Sequence, residues 1–384
     1  RLGGISGEGG NCTDDYNLGN INIQANSPSS ISIYIGGIIG NYNSSGCLRC
    51  SNEGDITVNA PNAYGIYVGG ICYGSNATDC YNTGNITIED AKSNCFISGI
   101  ISDGGIATRC YNTGNIDVTE SGGNAYISGI LQGNSASYCY NTGNIKLTST
   151  HTTNSDSYCY QYIGGIASRA VNINYCYNTG NIELNDNSEK QHYTYIGGIS
   201  GSSSSGKNCY STGNIYNGIV TDTSNFEYVH VGALYGINNT VATDNNYYLA
   251  NATIISKVLE DEQKCAVSGE KLKSDEIYEA LGGAENRWIK VENSYPKLDI
   301  GNNMAKVVSE LSFTNEMEKY DITTEIGRNG FGNTGGGTIT GGTYGIYNTT
   351  TGTITMSDGT LTAGTYGIFN NDSGTITVTG GTIT

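Results

Sequence analysis

Hydrophobic residues along this chain fall in short strand-like runs separated by Gly or Asn, with no 3.6-residue apolar period. One run reads Cys80-Tyr81-Asn82-Thr83-Gly84-Asn85-Ile86. It returns intact at Cys110–Ile116, Cys139–Ile145 and Cys176–Ile182, and nearly intact at Cys209–Ile215. Weaker copies are Asp15–Ile21 and Cys50–Ile56, and Asn246-Tyr247-Tyr248 is a degraded last one. Counted on Tyr16, Ser51, Tyr81, Tyr111, Tyr140, Tyr177, Tyr210 and Tyr247, the spacing is 35, 30, 30, 29, 37, 33 and 37 residues. A second motif alternates with the first. It reads Tyr34-Ile35-Gly36-Gly37-Ile38, recurs at Tyr67, Phe96, Tyr126, Tyr162 and Tyr195, and ends as His230-Val231-Gly232-Ala233-Leu234.

About three runs per repeat, coil stacked on coil, predict an all-β right-handed parallel β-helix over 1–249, about eight coils long. Strands then pair with the same position one coil away, roughly 4.8 Å off, so like residues form ladders. Ile is expected inside. Asn at the corners suits stacked amides and, like Gly, left-handed dihedrals. The run from the glycine pair to the Cys position holds at 10 to 13 residues. Length varies instead between the N-I strand and the next Y-I-G-G, where the insertions Thr148–Ser157 and Asn217–Asn225 fall. That edge is expected to be a loop edge.

Residues 250–300 are richer in Lys, Glu and Asp and predict a capping segment. Asp275–Leu281 reads as a short helix, with Ser274 as its N-cap and Gly282 at its end. Ile277, Leu281 and Trp288 are expected to close the open end of the β-helix. Residues 301–336 read as a connector. From 337 to 384 a tighter period begins, 22 residues long, as in Gly342-Thr343-Tyr344-Gly345-Ile346 and Gly364-Thr365-Tyr366-Gly367-Ile368. It predicts the start of a second, slimmer β-helix.

Composition supports strands and turns over helices: 56 Gly, 30 Tyr, 3 Pro and 1 Trp in 384 residues. The net charge of −17 and the lack of a basic stripe argue against a nucleic-acid partner. No apolar run is long enough to span a bilayer as a helix. The chain starts and stops within repeats, at Arg1–Gly7 and Gly381–Thr384, so a piece of a longer protein is expected.

These motifs resemble the GLUG-motif family, repeats with a G-G-[IL]-x-G core followed by a C-Y-N-x-G-x-[IV] strand in large bacterial surface proteins. The resemblance covers 1–249. It extends to Asn245-Asn246-Tyr247-Tyr248-Leu249, Leu272-Lys273-Ser274, Trp288 and Tyr295-Pro296-Lys297-Leu298, which look like the segment closing such arrays. It implies a β-helix in an extracellular or cell-surface setting and no single activity. The H-E-x-x-H of the zinc protease domain found in some members is absent.

Several residue classes bear on chemistry. Cys50, Cys80, Cys110, Cys139, Cys176 and Cys209 share one repeat position and read as a buried thiol ladder. Cys12 and Cys47 lie three residues before it and are the candidate disulfide. Tyr81, Tyr111, Tyr140, Tyr177 and Tyr210 then face outward as a stripe, which either stacks on itself or binds glycans or a partner protein. The Thr-x-Thr rows, such as Thr338-Ile339-Thr340, resemble ice-binding lattices, a minor alternative. Carboxylate clusters are limited to Asp14-Asp15 and Glu260-Asp261-Glu262, which suit a solvated surface better than catalysis. His151, His192 and His230 are scattered, so no metal and no cofactor are expected. The expected function is a structural or adhesive rod of a bacterial surface or extracellular protein, with no catalysis, self-association into filaments being one version. The alternative is a carbohydrate-active enzyme or glycan-binding module.

Overall fold

The computed structural model describes the chain except residues 8–11, 26–30, 42–45, 152–158, 189–191, 220–228, 239–243, 255–261, 301–309, 313–330, 334–337, 341–343, 349–352, 357–359, 363, 371–374 and 379–381. Two compact units result, Arg1–Ala305 and Lys306–Thr384. The first is a right-handed parallel β-helix with four sheets of eight, eight, nine and seven strands. In the coil of residues 65–91 the four strands are Gly65–Gly69, Ala77–Thr78, Tyr81–Asn82 and Ile86–Ala91. The sequence predicts about three runs per coil. The fourth strand arises because Asp79, at φ +55°, turns the chain between Ala77–Thr78 and Tyr81–Asn82.

That corner recurs in every coil on a residue other than glycine. Asp14, Arg49, Asp79, Arg109, Tyr138, Tyr175, Asn208 and Asn245 all have φ between +51° and +59°. The left-handed conformation costs an L-residue roughly 1–2 kcal/mol. What offsets it is visible in pairs of adjoining coils. Arg49 holds Asp14 through bonds of 2.5 and 2.6 Å, and Arg109 holds Asp79 through bonds of 2.5 and 2.8 Å. Tyr138 stacks on Tyr175 at 4.9 Å, and Asn245 donates to Asn208.

Two asparagine ladders bind coil to coil, as the corner asparagines predict. In the buried one, each Nδ2 donates to the next coil's Oδ1, from Asn17 through Asn52, Asn82, Asn112 and Asn141 to Asn178, at 2.7–2.8 Å. The same Nδ2 also donates to a glycine carbonyl two residues on, as in Asn82 to Gly84. The outer ladder uses Asn85, Asn115 and Asn144, whose Oδ1 atoms accept the backbone N–H of Asn115, Asn144 and Asn181 in the next coil. The second glycine of the pair makes room for the buried ladder. A Cβ on Gly99 would lie 2.1 Å from Gly129 O and 2.5 Å from Asn112 Cγ. Inside, columns such as Ile86, Ile116, Ile145 and Ile182 are fully buried, the main favourable term for a chain this polar.

The segment after the coils differs from its sequence expectation in one respect. Helices α1 (Gly269–Leu272) and α2 (Asp275–Ala280) form, with Ser268 and Ser274 as N-caps. Strand Ala266–Val267 pairs with Tyr248 and Leu249 and covers that sheet's last edge. Trp288, however, packs on the flank of the β-helix and not over its end. Its ring lies 6.1 Å from Tyr177 and 5.8 Å from Tyr210. Leu272, Ile277, Leu281, Leu298 and Ile300 join it there. The reason is apolar area: the tyrosine column offers a broad aromatic face to cover.

The second unit keeps the 22-residue register. Thr338 pairs with Thr360 and Thr360 with Thr382, while Ile354 pairs with Ile376. Its pairing reaches back into the stretch read as a connector, since Glu310–Ser312 lies beside Thr338–Thr340 and Phe331–Asn333 beside Ile354–Met356. Among the described residues, no helix is long and apolar enough to cross a membrane.

Candidate functional site

The predicted tyrosine stripe forms. Tyr81, Tyr111, Tyr140, Tyr177 and Tyr210 are register partners one coil apart, with ring centroids 4.9–5.0 Å apart and planes within 7° of parallel. It does not face outward along its whole length: Tyr81, Tyr177 and Tyr210 are buried, and access is greatest at Tyr111 and Tyr140 in the middle. Tyr177 and Tyr210 are 5% and 1% exposed beneath the Trp288 segment, and the Tyr210 hydroxyl donates to Pro296 O at 2.6 Å. Tyr111 and Tyr140 are half-buried, and Tyr81 donates to Glu53 at 3.0 Å. Burial pushes the Tyr140 phenol up to about 12. Of the five, Tyr111 and Tyr140 therefore offer the most ring surface to a ligand.

A second aromatic column, not singled out from the sequence, runs along the Y-I-G-G face. Tyr34, Tyr67, Phe96, Tyr126, Tyr162, Tyr195 and His230 stack at 4.6–5.2 Å. All seven are half-buried, so the column stays accessible along its length. Tyr73 tilts against Tyr34 at 4.6 Å, and the Arg169 guanidinium lies 5.2 Å from the Tyr162 ring centre. Burial, then neighbouring phenols, raise Tyr67 to about 12; burial likewise raises Tyr162 to about 12 against the nearby Arg169. The signal was in the sequence, because from Tyr34 to His230 an aromatic ring precedes the Ile or Val before the Gly/Ser–Gly (last, Gly–Ala) pair of each repeat.

The cysteine position is inward in the six coils that carry it. Cys50, Cys80, Cys110, Cys139, Cys176 and Cys209 are fully buried. Each of the last five donates its S–H to the carbonyl two residues back, as Cys80 does to Thr78 at 3.2 Å. Burial pushes the Cys80, Cys110 and Cys176 thiols well up, which keeps them protonated and unreactive. Cys12 and Cys47, the candidate disulfide, are register partners, both buried and both present as thiols.

The histidines require a correction. The sequence reading treats them as scattered, yet the fold brings His151 and His192 together with rings 4.4 Å apart. Only His230 stays apart, in the aromatic column. His151 follows strand Ile145–Ser149, while Cys159 and His192 each precede a strand, Tyr160–Gly164 and Tyr193–Gly197. Donor atoms of His151, Cys159 and His192 all lie within 4.8 Å of one another, and the three residues are buried. His151 Nε2 lies 2.5 Å from Glu120 Oε2, and His192 Nδ1 lies 3.0 Å from Asp186 Oδ2. The Gln161 amide lies 2.8 Å from the same His192 nitrogen and accepts a bond from Thr194. Ser188 Oγ accepts the His151 backbone N–H at 3.0 Å and shares a hydrogen bond of 3.1 Å with Ser149 Oγ. Burial would lower the His151 pKa, but hydrogen bonds to Cys159 and Glu120 outweigh it and raise it to about 9. Burial would raise Asp186; the His192 hydrogen bond and charge outweigh it and lower it. The sequence distances, 8 and 33 residues, carry no motif.

The remaining candidates stay separate. Asp14 is taken by Arg49, and Asp15 accepts the Thr13 N–H. Glu260 and Asp261, and the cores of both predicted insertions, lie outside the described residues. The Thr-x-Thr rows are in register from coil to coil in the second unit. Compared with models of protein families, with curated proteins and with solved structures, the chain matches none.

Proposed function

We propose that this chain is a structural or adhesive rod of a bacterial cell-surface or extracellular protein, and that it is not a catalyst. The GLUG-like order of its motifs supports that setting. The observation that carries the reading is the accessible column of seven stacked rings on the Y-I-G-G face. Rings fixed by the strand register lose little freedom on contact, which favours binding to flat apolar faces of glycans or to a partner protein. A filament of self-associated chains is the related version.

A glycan-binding module is the second reading, favoured by the same column together with Tyr111 and Tyr140. A glycan array probed with the intact chain, and with Tyr126→Ala/Tyr162→Ala and Tyr111→Ala/Tyr140→Ala variants, tests both. Binding lost in the first variant alone assigns the Y-I-G-G face. Loss in the second alone assigns the C-Y-N face. Binding unchanged in both removes the aromatic columns as contact surfaces.

A further inference from the structure

We propose that His151, Cys159 and His192 bind one zinc-class divalent ion, with Glu120 and Asp186 as the outer carboxylates that orient the two imidazoles. The donor set is two imidazole nitrogens and a sulfur, all within 4.8 Å of one another, which suits tetrahedral zinc. The ring hydrogen bonds assign the donor atoms. Glu120 takes the Nε2 proton of His151, leaving Nδ1 as the ligand nitrogen. Two groups meet His192 Nδ1: Asp186 Oδ2, which can only accept, and Gln161 Nε2, which can only donate. The charged carboxylate is the stronger partner and sets the Nδ1–H tautomer, and Gln161 Nε2 donates to the same carboxylate. His192 Nε2 is left buried with no hydrogen-bond partner, a state that needs an explanation and that a metal bond supplies. A carboxylate behind each ligating histidine is the usual second layer of a zinc site.

Charge points the same way. Glu120 and Asp186 are 1% and 2% exposed, and no Lys or Arg pairs with either among the described residues. A divalent ion and the Cys159 thiolate sum to one positive charge against these two negative ones. The Cys159 proton leaves to solvent as the sulfur–metal bond forms. Three protein donors leave a fourth position for water. The site joins three successive coils, since Glu120, Ser149 and Asp186 are register partners. Its position beside two chain segments of variable length makes it a staple for the loop edge, a role separate from any ligand contact at the aromatic columns.

The test is a cobalt(II) titration of the purified, intact chain, followed by displacement with zinc. The expected result is one equivalent of Co(II), with intense visible bands of tetrahedral coordination and a near-ultraviolet sulfur-to-cobalt band. Zinc should abolish both and be retained one to one after desalting. Cys159→Ser should lose the near-ultraviolet band, while Cys80→Ser, a ladder thiol, should keep it. Asp186→Asn should weaken binding about 10–100-fold. A chain with native β-sheet circular dichroism that retains no zinc overturns the proposal and leaves a histidine–carboxylate network. A near-ultraviolet sulfur-to-cobalt band that persists in Cys159→Ser also overturns it.

Discussion

The Tyr210 hydroxyl donates to the Pro296 carbonyl at 2.6 Å across 86 residues of sequence. This bond, with Trp288 beside Tyr177 and Tyr210, fastens the segment after the coils to the flank of the β-helix. Removing the indole leaves a cavity against two rings. Trp288→Ala should destabilise the segment by about 3–5 kcal/mol. Limited proteolysis should then cut within 262–300 while the coils resist, and Tyr177 and Tyr210 should become accessible in the trimmed product.

The two asparagine ladders should respond differently to the same substitution. Asn112 is buried and makes three side-chain bonds, to Asn82, Asn141 and Gly114. Asn112→Ala removes them and leaves Asn141 Oδ1 without its donor, at about 2–3 kcal/mol. Asn115 is exposed and accepts one bond from Asn144 N. Asn115→Ala should cost about 0.5–1 kcal/mol, because water replaces the lost acceptor. Denaturant midpoints of the two variants give the comparison.

The left-handed corners set two effects against each other. Glycine relieves roughly 1–2 kcal/mol of backbone cost but removes the paired side chain. The Arg49–Asp14 pair lies at the solvent-facing surface, where water screens it and it contributes little. Arg49→Gly should therefore be neutral or slightly stabilising. Asp79 is buried, so Arg109→Gly leaves a carboxylate without its cation and should be destabilising by about 1–3 kcal/mol. Thermal unfolding of both variants reads the sign.

Alkaline pH should unfold the chain through its tyrosine columns. Tyr67, Tyr140 and Tyr162 are raised to about 12 from an ordinary value near 10, chiefly by burial. The folded state thus holds these protons more tightly than the unfolded one. Their contribution is fully present below pH 10 and is lost as pH rises from 10 towards 12. Tyrosinate absorbance near 295 nm should lag behind that of free tyrosine and then rise together with loss of β-sheet signal.

Much of this fold can be read directly from the chain. In a parallel β-helix, register turns a sequence repeat into a spatial column, so the Cys80, Asn82 and Tyr81 positions each announce their own ladder. The non-repeating contacts were not legible. Trp288 meets Tyr210 through a single-copy segment, and no period marks where it docks. The left-handed corners hide because Arg109, Tyr138 and Asn208 share no residue type; only their pairing across coils explains them. His151, Cys159 and His192 fall on the edge where spacing varies. One trace of that site was available: Cys159 and His192 each stand one residue before register partners, Tyr160 and Tyr193.

The coil-on-coil register is what every column rests on, and a distance measurement reads it directly. Asn22, Thr57, Thr87, Asp117, Lys146 and Glu183 are successive outward-facing partners on one sheet. Nitroxide labels attached through ketone-bearing residues avoid the native thiols, and pulsed electron paramagnetic resonance gives the separations. Positions 22 and 183 should lie roughly 24 Å apart before label length, and 57 and 183 roughly 19 Å, one strand spacing less. Two narrow distributions offset by that step are the expected result. Broad distributions, or a 22–183 separation no longer than 57–183, would contradict the stacked register.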